Sequence, residues 1–198
     1  MKIKWVLIIV SLMVILIYIP GCNQIENLTE SSSKLIVITI LGEDLEGNTD
    51  SAIIFSDVIT SSGGIFNDTG TSTLTSVLQD QAQDVGSFYQ DIIVDQIDVE
   101  YSRSDMPDAV PGVDIPFSFS QQVHARVAVG EIVELPFVLV QHTAKSESPL
   151  VELVNLGQEI VLKLEAKCTF YGKDVAGNRV KEVVGTVSVW CANFADED

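Results

Sequence analysis

Three cysteines and one aspartate are the residues of this sequence best placed to do chemistry. Cys22 ends an apolar N-terminal stretch, whereas Cys168 and Cys191 lie near the C-terminus. A thiol can be acylated, can be oxidised to a disulfide, or can remain buried as a small apolar group. Asp68 stands in a run of Asn, Asp, Thr and Gly residues, where a carboxylate could transfer protons.

The residues before Cys22 have the order of a secretory signal. Lys2 and Lys4 supply positive charge, and residues 5–19 form an apolar segment. That segment is shorter than the roughly 20 residues that a membrane-spanning helix needs. Pro20 ends any helix just before Cys22, so we predict cleavage at this point.

Residues 19–22 resemble the lipobox of bacterial lipoproteins. Ile19, Gly21 and Cys22 match the pattern, and Pro20 stands at its second position. The resemblance implies that the Cys22 sulfur carries a diacylglycerol and that the chain is cut before it. It also implies a location on the outer face of a cell-envelope membrane, periplasmic or cell-surface, and Asn23 permits an outer membrane.

The sequence accordingly divides into a signal peptide (1–21), a lipidated cysteine with a flexible tether (22–33) and one folded domain (34–198). The tether is polar, with almost no apolar residues. In the alternative interpretation, residues 1–21 remain as an uncleaved anchor and Cys22 is an incidental thiol.

The charge of the chain excludes one class of partner. Cleavage before Cys22 removes two lysines and no acids, so 28 acidic and nine basic residues remain, a formal charge of −19. Such a chain is repelled by nucleic acids and by anionic lipid headgroups. The acids are interspersed with apolar residues, which favours a folded domain.

Alternating apolar and polar residues predict an all-β domain of seven or eight strands. One short helix is expected before the last hairpin, with Ser148 as its N-cap, Pro149 at its first position and Gly157 at its end. The predicted strands are 35–41, 52–60, 65–78, 92–101, 115–129, 132–142, 160–170 and 186–191. In 92–101, the inward face is predicted to carry Ile93, Ile97, Val99 and Tyr101.

The last 40 or so residues resemble the terminal hairpin of bacterial immunoglobulin-like domains. Asp174, Ala176, Gly177 and Asn178 form the turn that carries the likeness. The resemblance implies a single immunoglobulin-like β-sandwich, a fold used by adhesion, spacer and carbohydrate-associated modules.

This hairpin bears on the two remaining cysteines. If Gly172 faces Val187, then Cys168 faces Cys191, near the separation that a disulfide needs. The sequence leaves open whether they are bridged or are two buried thiols.

Asp68-Thr69-Gly70 resembles the signature loop of aspartic proteases, in which two aspartates share a proton across a catalytic water. The sequence contains no second copy of the motif, so a homodimer would have to supply the partner. The alternative is an ordinary turn, which these residue types favour.

A calcium-dependent adhesion module is a further alternative. Its oxygen ligands would come from the loop at 43–50, namely Glu43, Asp44, Glu46, Asn48 and Asp50. Solvated loop acids explain the same residues without an ion.

We therefore expect a lipid-anchored envelope protein that is not an enzyme and that needs no cofactor or metal. Its partners are the bilayer, through acylated Cys22, and an envelope protein or a glycan. The loops at 43–50, 103–114 and 174–178 are its expected recognition surfaces.

Overall fold

The structure is a computed structural model, and it describes residues 30–44, 47–80, 82, 86–156 and 160–194. Cys22, the predicted signal peptide and most of the predicted tether lie outside the described residues, as does Glu46 of the acidic loop.

The described chain folds into eight strands in two sheets, so the prediction of an all-β sandwich is confirmed. One sheet has the order β1-β3-β6 and the other β2-β8-β7-β4-β5. The strands are β1 (Ser33–Gly42), β2 (Ile53–Asp57), β3 (Asp68–Leu78), β4 (Ile92–Ser102), β5 (Phe119–Val127), β6 (Ile132–Val140), β7 (Leu162–Asp174) and β8 (Val183–Ala192).

The connections mix early and late strands within each sheet. β1 and β2 lie in different sheets, and β2 runs parallel to β8 while the other pairs are antiparallel. This exchange between sheets is typical of Greek-key sandwiches such as immunoglobulin-like domains.

The core follows from the alternation of the strands, with one change of phase. In β4 the buried residues are Ile92 and Val94, then Ile97, Val99 and Tyr101. The pairing of β4 with both neighbours shifts between Val94 and Gln96, so an extra residue enters the strand there. A bulge reverses which side chains face inward. The predicted inward position of Ile93 is therefore wrong.

The three-stranded sheet ends at β6, and Pro136 lies in this edge strand, where a residue without an N–H is tolerated. Gln121 of β5 partly covers this edge with its side-chain amide. The amide donates to the Val138 carbonyl oxygen at 2.7 Å and accepts from the Val138 N–H at 3.0 Å. One side chain thus takes the hydrogen-bonding place of a neighbouring strand.

Two four-residue helices stand where one was predicted: α1 (His142–Lys145) and α2 (Leu150–Leu153). Ser148 does not cap a helix; its hydroxyl donates to the Glu152 carboxylate at 2.7 Å. Leu150 and Leu153 are buried, so α2 is held by packing rather than by a cap.

The β7–β8 hairpin closes tightly on its turn. The Asp174 carboxylate accepts the N–H of Asn178 at 2.8 Å and the side-chain amide of Asn178 at 2.9 Å, and Gly177 has a φ of 89°. Lys173 bridges Arg179 directly beyond the turn. The turn therefore brings the chain back beside the end of β7.

The sandwich has two ends. The end from which β1 starts, next to the predicted tether, carries Ser33, Asp174 and Val127, and we call it the tether end. The opposite end carries Gly42, Asp68 and Ser102, and we call it the far end. The chain enters at the tether end.

Folding begins before the predicted boundary at residue 34. Ser31 is buried and its N–H donates to the Arg179 carbonyl oxygen at 2.9 Å, while Ser33 starts β1. These serines belong to the sandwich, because both are buried and the Ser33 N–H donates to the Ser31 hydroxyl at 3.1 Å.

Candidate functional site

Asp68 begins β3 instead of lying in a turn, and a shift in the β3–β6 pairing follows it. The predicted alternative of a turn is therefore wrong. Val140, the pairing partner of Asp68, is the last residue of β6. Since α1 starts two residues later, its residues are brought over the start of β3.

Lys145, the last residue of α1, is the partner of Asp68. Its side chain is 2 % exposed, and its ammonium donates to the Asp68 carboxylate at 2.8 Å. It also donates to the Asp57 main-chain oxygen at 2.7 Å. One cation thus joins the end of β2, the start of β3 and α1 at the far end.

The pKa of the Asp68 carboxyl is raised, since burial disfavours its charge by more than Lys145 favours it. Ser56 lies close enough to lower this pKa slightly, and Glu43 raises it. Neither the Ser56 hydroxyl nor Asp68 Oδ2 has a hydrogen-bond partner of normal geometry among the described residues. Among the described residues, Lys145 thus contacts the carboxylate through Oδ1.

This arrangement differs from a protease dyad. In a dyad, two carboxylates share one proton and face a water that attacks the substrate. Asp68 instead faces a buried ammonium, and the carboxylate of the neighbouring Asp57 accepts the Phe194 N–H at 3.1 Å. The geometry suits a structural ion pair that ties the far end together.

Cys168 and Cys191 face the core, but they do not face each other. Cys168 pairs with Gly185, and Cys191 pairs with Leu162. Six residues along β7 separate these pairs, about 20 Å, whereas disulfides need Cα atoms within about 7 Å. The predicted register, with Gly172 opposite Val187, is wrong because the tight turn closes the hairpin earlier. Both thiols are free and buried.

We expect neither thiol to react in the folded protein. Burial raises the pKa of Cys168 and of Cys191 to about 12, so both stay protonated in neutral or mildly alkaline buffer. Iodoacetamide should leave both unmodified in the native protein and should modify both after unfolding without reductant. Mass spectrometry measures the result; modification of either thiol in the native protein would contradict the burial.

The acidic loop at 43–50 contains a tight turn. The Asp44 carboxylate accepts the N–H and the side-chain amide of Asn48, each at 2.9 Å, and Gly47 has a φ of 82°. Among the described residues, no three acidic, histidine or cysteine side chains are grouped as metal ligands.

The same turn occurs at both ends of the sandwich. Asp44, Gly47 and Asn48 repeat the spacing and hydrogen bonds of Asp174, Gly177 and Asn178. Sequence reasoning recognised the second copy and missed the first, although the shared D-x-x-G-N spacing was a visible signal. By contrast, nothing in the polar segment around Lys145 marks that residue as buried.

Two of the three predicted recognition loops lie at the same end of the sandwich. The loops at 43–50 and 103–114 follow β1 and β4 at the far end, whereas 174–178 lies at the tether end. In the 103–114 loop, Arg103 holds Asp105 through two nitrogens, at 3.0 and 2.7 Å.

A second polar cluster lies at the tether end. Asp91 is buried, and its carboxylate accepts from Arg126 and from the Val129 N–H at 3.3 Å. The Arg126 guanidinium lies over the ring of Phe88, 4.5 Å from its centre. Phe88 and the adjacent Tyr89 stack edge to face, and both are exposed.

No helix within the described ranges is long and apolar enough to cross a bilayer. No protein-family model and no curated protein sequence matches this chain.

Proposed function

We propose that this protein is a non-enzymatic binding or structural module of the bacterial cell envelope, held on the outer face of a membrane by acylated Cys22. The supporting observation is that the entry of the chain and the candidate recognition loops lie at opposite ends of the sandwich. The chain from Cys22 enters at the tether end, and two candidate recognition loops lie at the far end.

The entry point agrees with a short tether. Glu30 pairs with Arg179, only eight residues after Cys22. Eight residues span no more than about 28 Å, so the domain would stand close to the bilayer. The far end would then point away from the membrane, toward an envelope protein or a glycan.

Among the described residues, most of the large apolar side chains that are exposed lie at the far end. Its large exposed side chains include Phe66, Val110, Val113, Phe117, Leu156 and Ile160. Apolar side chains near a polar rim are typical of a protein-binding surface. They favour an envelope protein over a nucleic acid, as does the charge of −19 left after cleavage.

The ion pair of Asp68 supports a non-enzymatic role. A carboxylate held by a buried ammonium is not available to activate water at an open cleft. If Asp68 instead acted as a protease residue, an acid pH optimum would disappear in Asp68→Asn.

Cys22→Ala tests the anchor. Palmitate supplied to cells is expected to label the unaltered protein, and this label should be lost completely from Cys22→Ala. Cys168→Ala is the matched control, because a buried thiol should accept no lipid. Label that persists in Cys22→Ala would overturn the proposal.

A further inference from the structure

We propose that the tether end docks on the lipid headgroup layer of the bilayer that holds Cys22, with Phe88 and Tyr89 inserted at the interface. This inference rests on the proposed lipid anchor and adds an orientation and a contact surface. The docking surface consists of Phe88, Tyr89 and the basic residues around them.

The two aromatic side chains are exposed although their main chain is tightly fixed. Phe88 is 55 % exposed and Tyr89 is 67 % exposed. The Ala176 N–H donates to the Tyr89 carbonyl oxygen at 3.2 Å, and Gln90 closes a 3₁₀ turn (Phe88–Gln90) on Ser87. A rigid main chain that presents two aromatic rings to solvent is suited to a partner that buries them.

The tether brings this turn to the membrane. The side-chain amide of Gln90 donates to the Ser32 hydroxyl at 3.1 Å, so the aromatic turn contacts the first folded residues after the tether. Since Glu30 lies within about 28 Å of Cys22 along the chain, the bilayer surface is within reach of both rings. Aromatic side chains with a polar atom or neighbour favour the headgroup region.

The charge of this end differs from that of the whole domain. Five of the nine basic residues of the mature chain lie here: Lys34, Arg126, Lys173, Arg179 and Lys181. The described acids at the same end are Glu30, Asp80, Asp91, Glu131, Asp174 and Glu182, of which Asp91 and Asp174 are buried. Among the described residues this end therefore carries nearly balanced charges, so headgroups that repel the acidic remainder of the domain repel it much less.

Arg126 links the charges to the rings. Its guanidinium covers one face of Phe88 and is held by the buried carboxylate of Asp91. A guanidinium fixed beside an exposed aromatic ring can contact a lipid phosphate while the ring enters the interface. Membrane docking then orients the domain with its far end outward.

A fluorescent probe at each end tests the docking. Tyr89→Cys and Phe66→Cys are each made in the full-length protein, expressed with the signal peptide, and labelled with an environment-sensitive dye at the new cysteine. Each labelled protein is placed in vesicles of phosphatidylethanolamine and phosphatidylglycerol that contain a lipid-borne quencher. The buried thiols of Cys168 and Cys191 do not compete for the dye. Phe66 is the matched position, because it is 63 % exposed at the far end.

Quenching is expected to be severalfold greater at position 89 than at position 66. Equal quenching, with the protein still sedimenting with vesicles, would overturn docking and leave the anchor standing. If the unaltered protein does not sediment with vesicles, both proposals fail.

A second measurement keeps the test independent of the dye at position 89. A donor dye is attached to Phe66→Cys and an acceptor dye to the lipid headgroups. Energy transfer between them should be low when the far end points away from the bilayer. Phe88→Ser with Tyr89→Ser should raise this transfer by freeing the domain to tilt. Unchanged transfer would contradict docking through these rings.

Discussion

Replacing Lys145 with alanine is expected to lower the free energy of unfolding by about 3–5 kcal/mol. The ammonium is 2 % exposed and contacts the Asp68 carboxylate and the Asp57 carbonyl oxygen. Its removal leaves a carboxylate buried without its cation, and leaves a cavity where the side chain was. Urea denaturation followed by circular dichroism measures the change.

Two variants separate charge from packing in this experiment. Lys167→Ala is the matched control, because the Lys167–Glu100 pair is exposed and should contribute little that can be measured. Lys145→Met with Asp68→Leu removes both charges and keeps side-chain volume, so it should lose much less stability than Lys145→Ala. If Lys145→Ala were no less stable than Lys167→Ala, the structural role of the pair would be refuted.

The raised pKa of Asp68 also predicts the direction in which the free energy of unfolding changes with pH. Its pKa is raised above 3.8 in the folded protein, so the folded state binds this proton more tightly than the unfolded state. The stabilisation from that proton is present at low pH and is lost as the pH rises from about 3.8 through the folded pKa. The unaltered protein should therefore lose stability relative to Asp68→Asn across this range.

Gly172→Ala is expected to lower the free energy of unfolding by about 3 kcal/mol, the upper end for an overpacked core. A Cβ atom at Gly172 would lie 2.4 Å from the main-chain oxygen of Ile93. The main chain of Ile93 cannot rotate away from this contact as a side chain could. The central β4–β7 pair would have to separate beside the β4 bulge.

Gly185→Ala is the control for Gly172→Ala. Its Cβ would meet the Cδ1 atom of Ile40 at 2.7 Å, and a side-chain terminus can move to another rotamer. Thermal unfolding should therefore show a clearly smaller loss for Gly185→Ala. Equal losses would contradict the close approach of β4 and β7 main chain.

The two proposals assign different tasks to the two ends of one sandwich. Anchoring at the tether end leaves the loops at 43–50 and 103–114 free to meet a partner. The Lys145–Asp68 pair stabilises the far end, where loops replace strand pairing. A loss of partner binding in Lys145→Ala would thus be an indirect effect of loosening these loops.

Local pattern in the sequence determined the strands of this protein. Alternating residues in 162–174 and in 183–192 face the core and solvent in turn, because a strand places successive side chains on opposite faces. The turn at 174–178 was equally visible, since Asp, Gly and Asn each have a local reason to be there. These features depend on neighbours in sequence.

Tertiary structure decided what depends on distant residues. The register of Cys168 opposite Gly185 requires the turn geometry, and the reversal of phase in β4 requires a bulge that both neighbouring strands share. Asp68 and Lys145 are 77 residues apart and meet only because β6 carries α1 over the start of β3. A lysine in a polar segment is buried here because the fold brings it a carboxylate, and no local pattern encodes that contact.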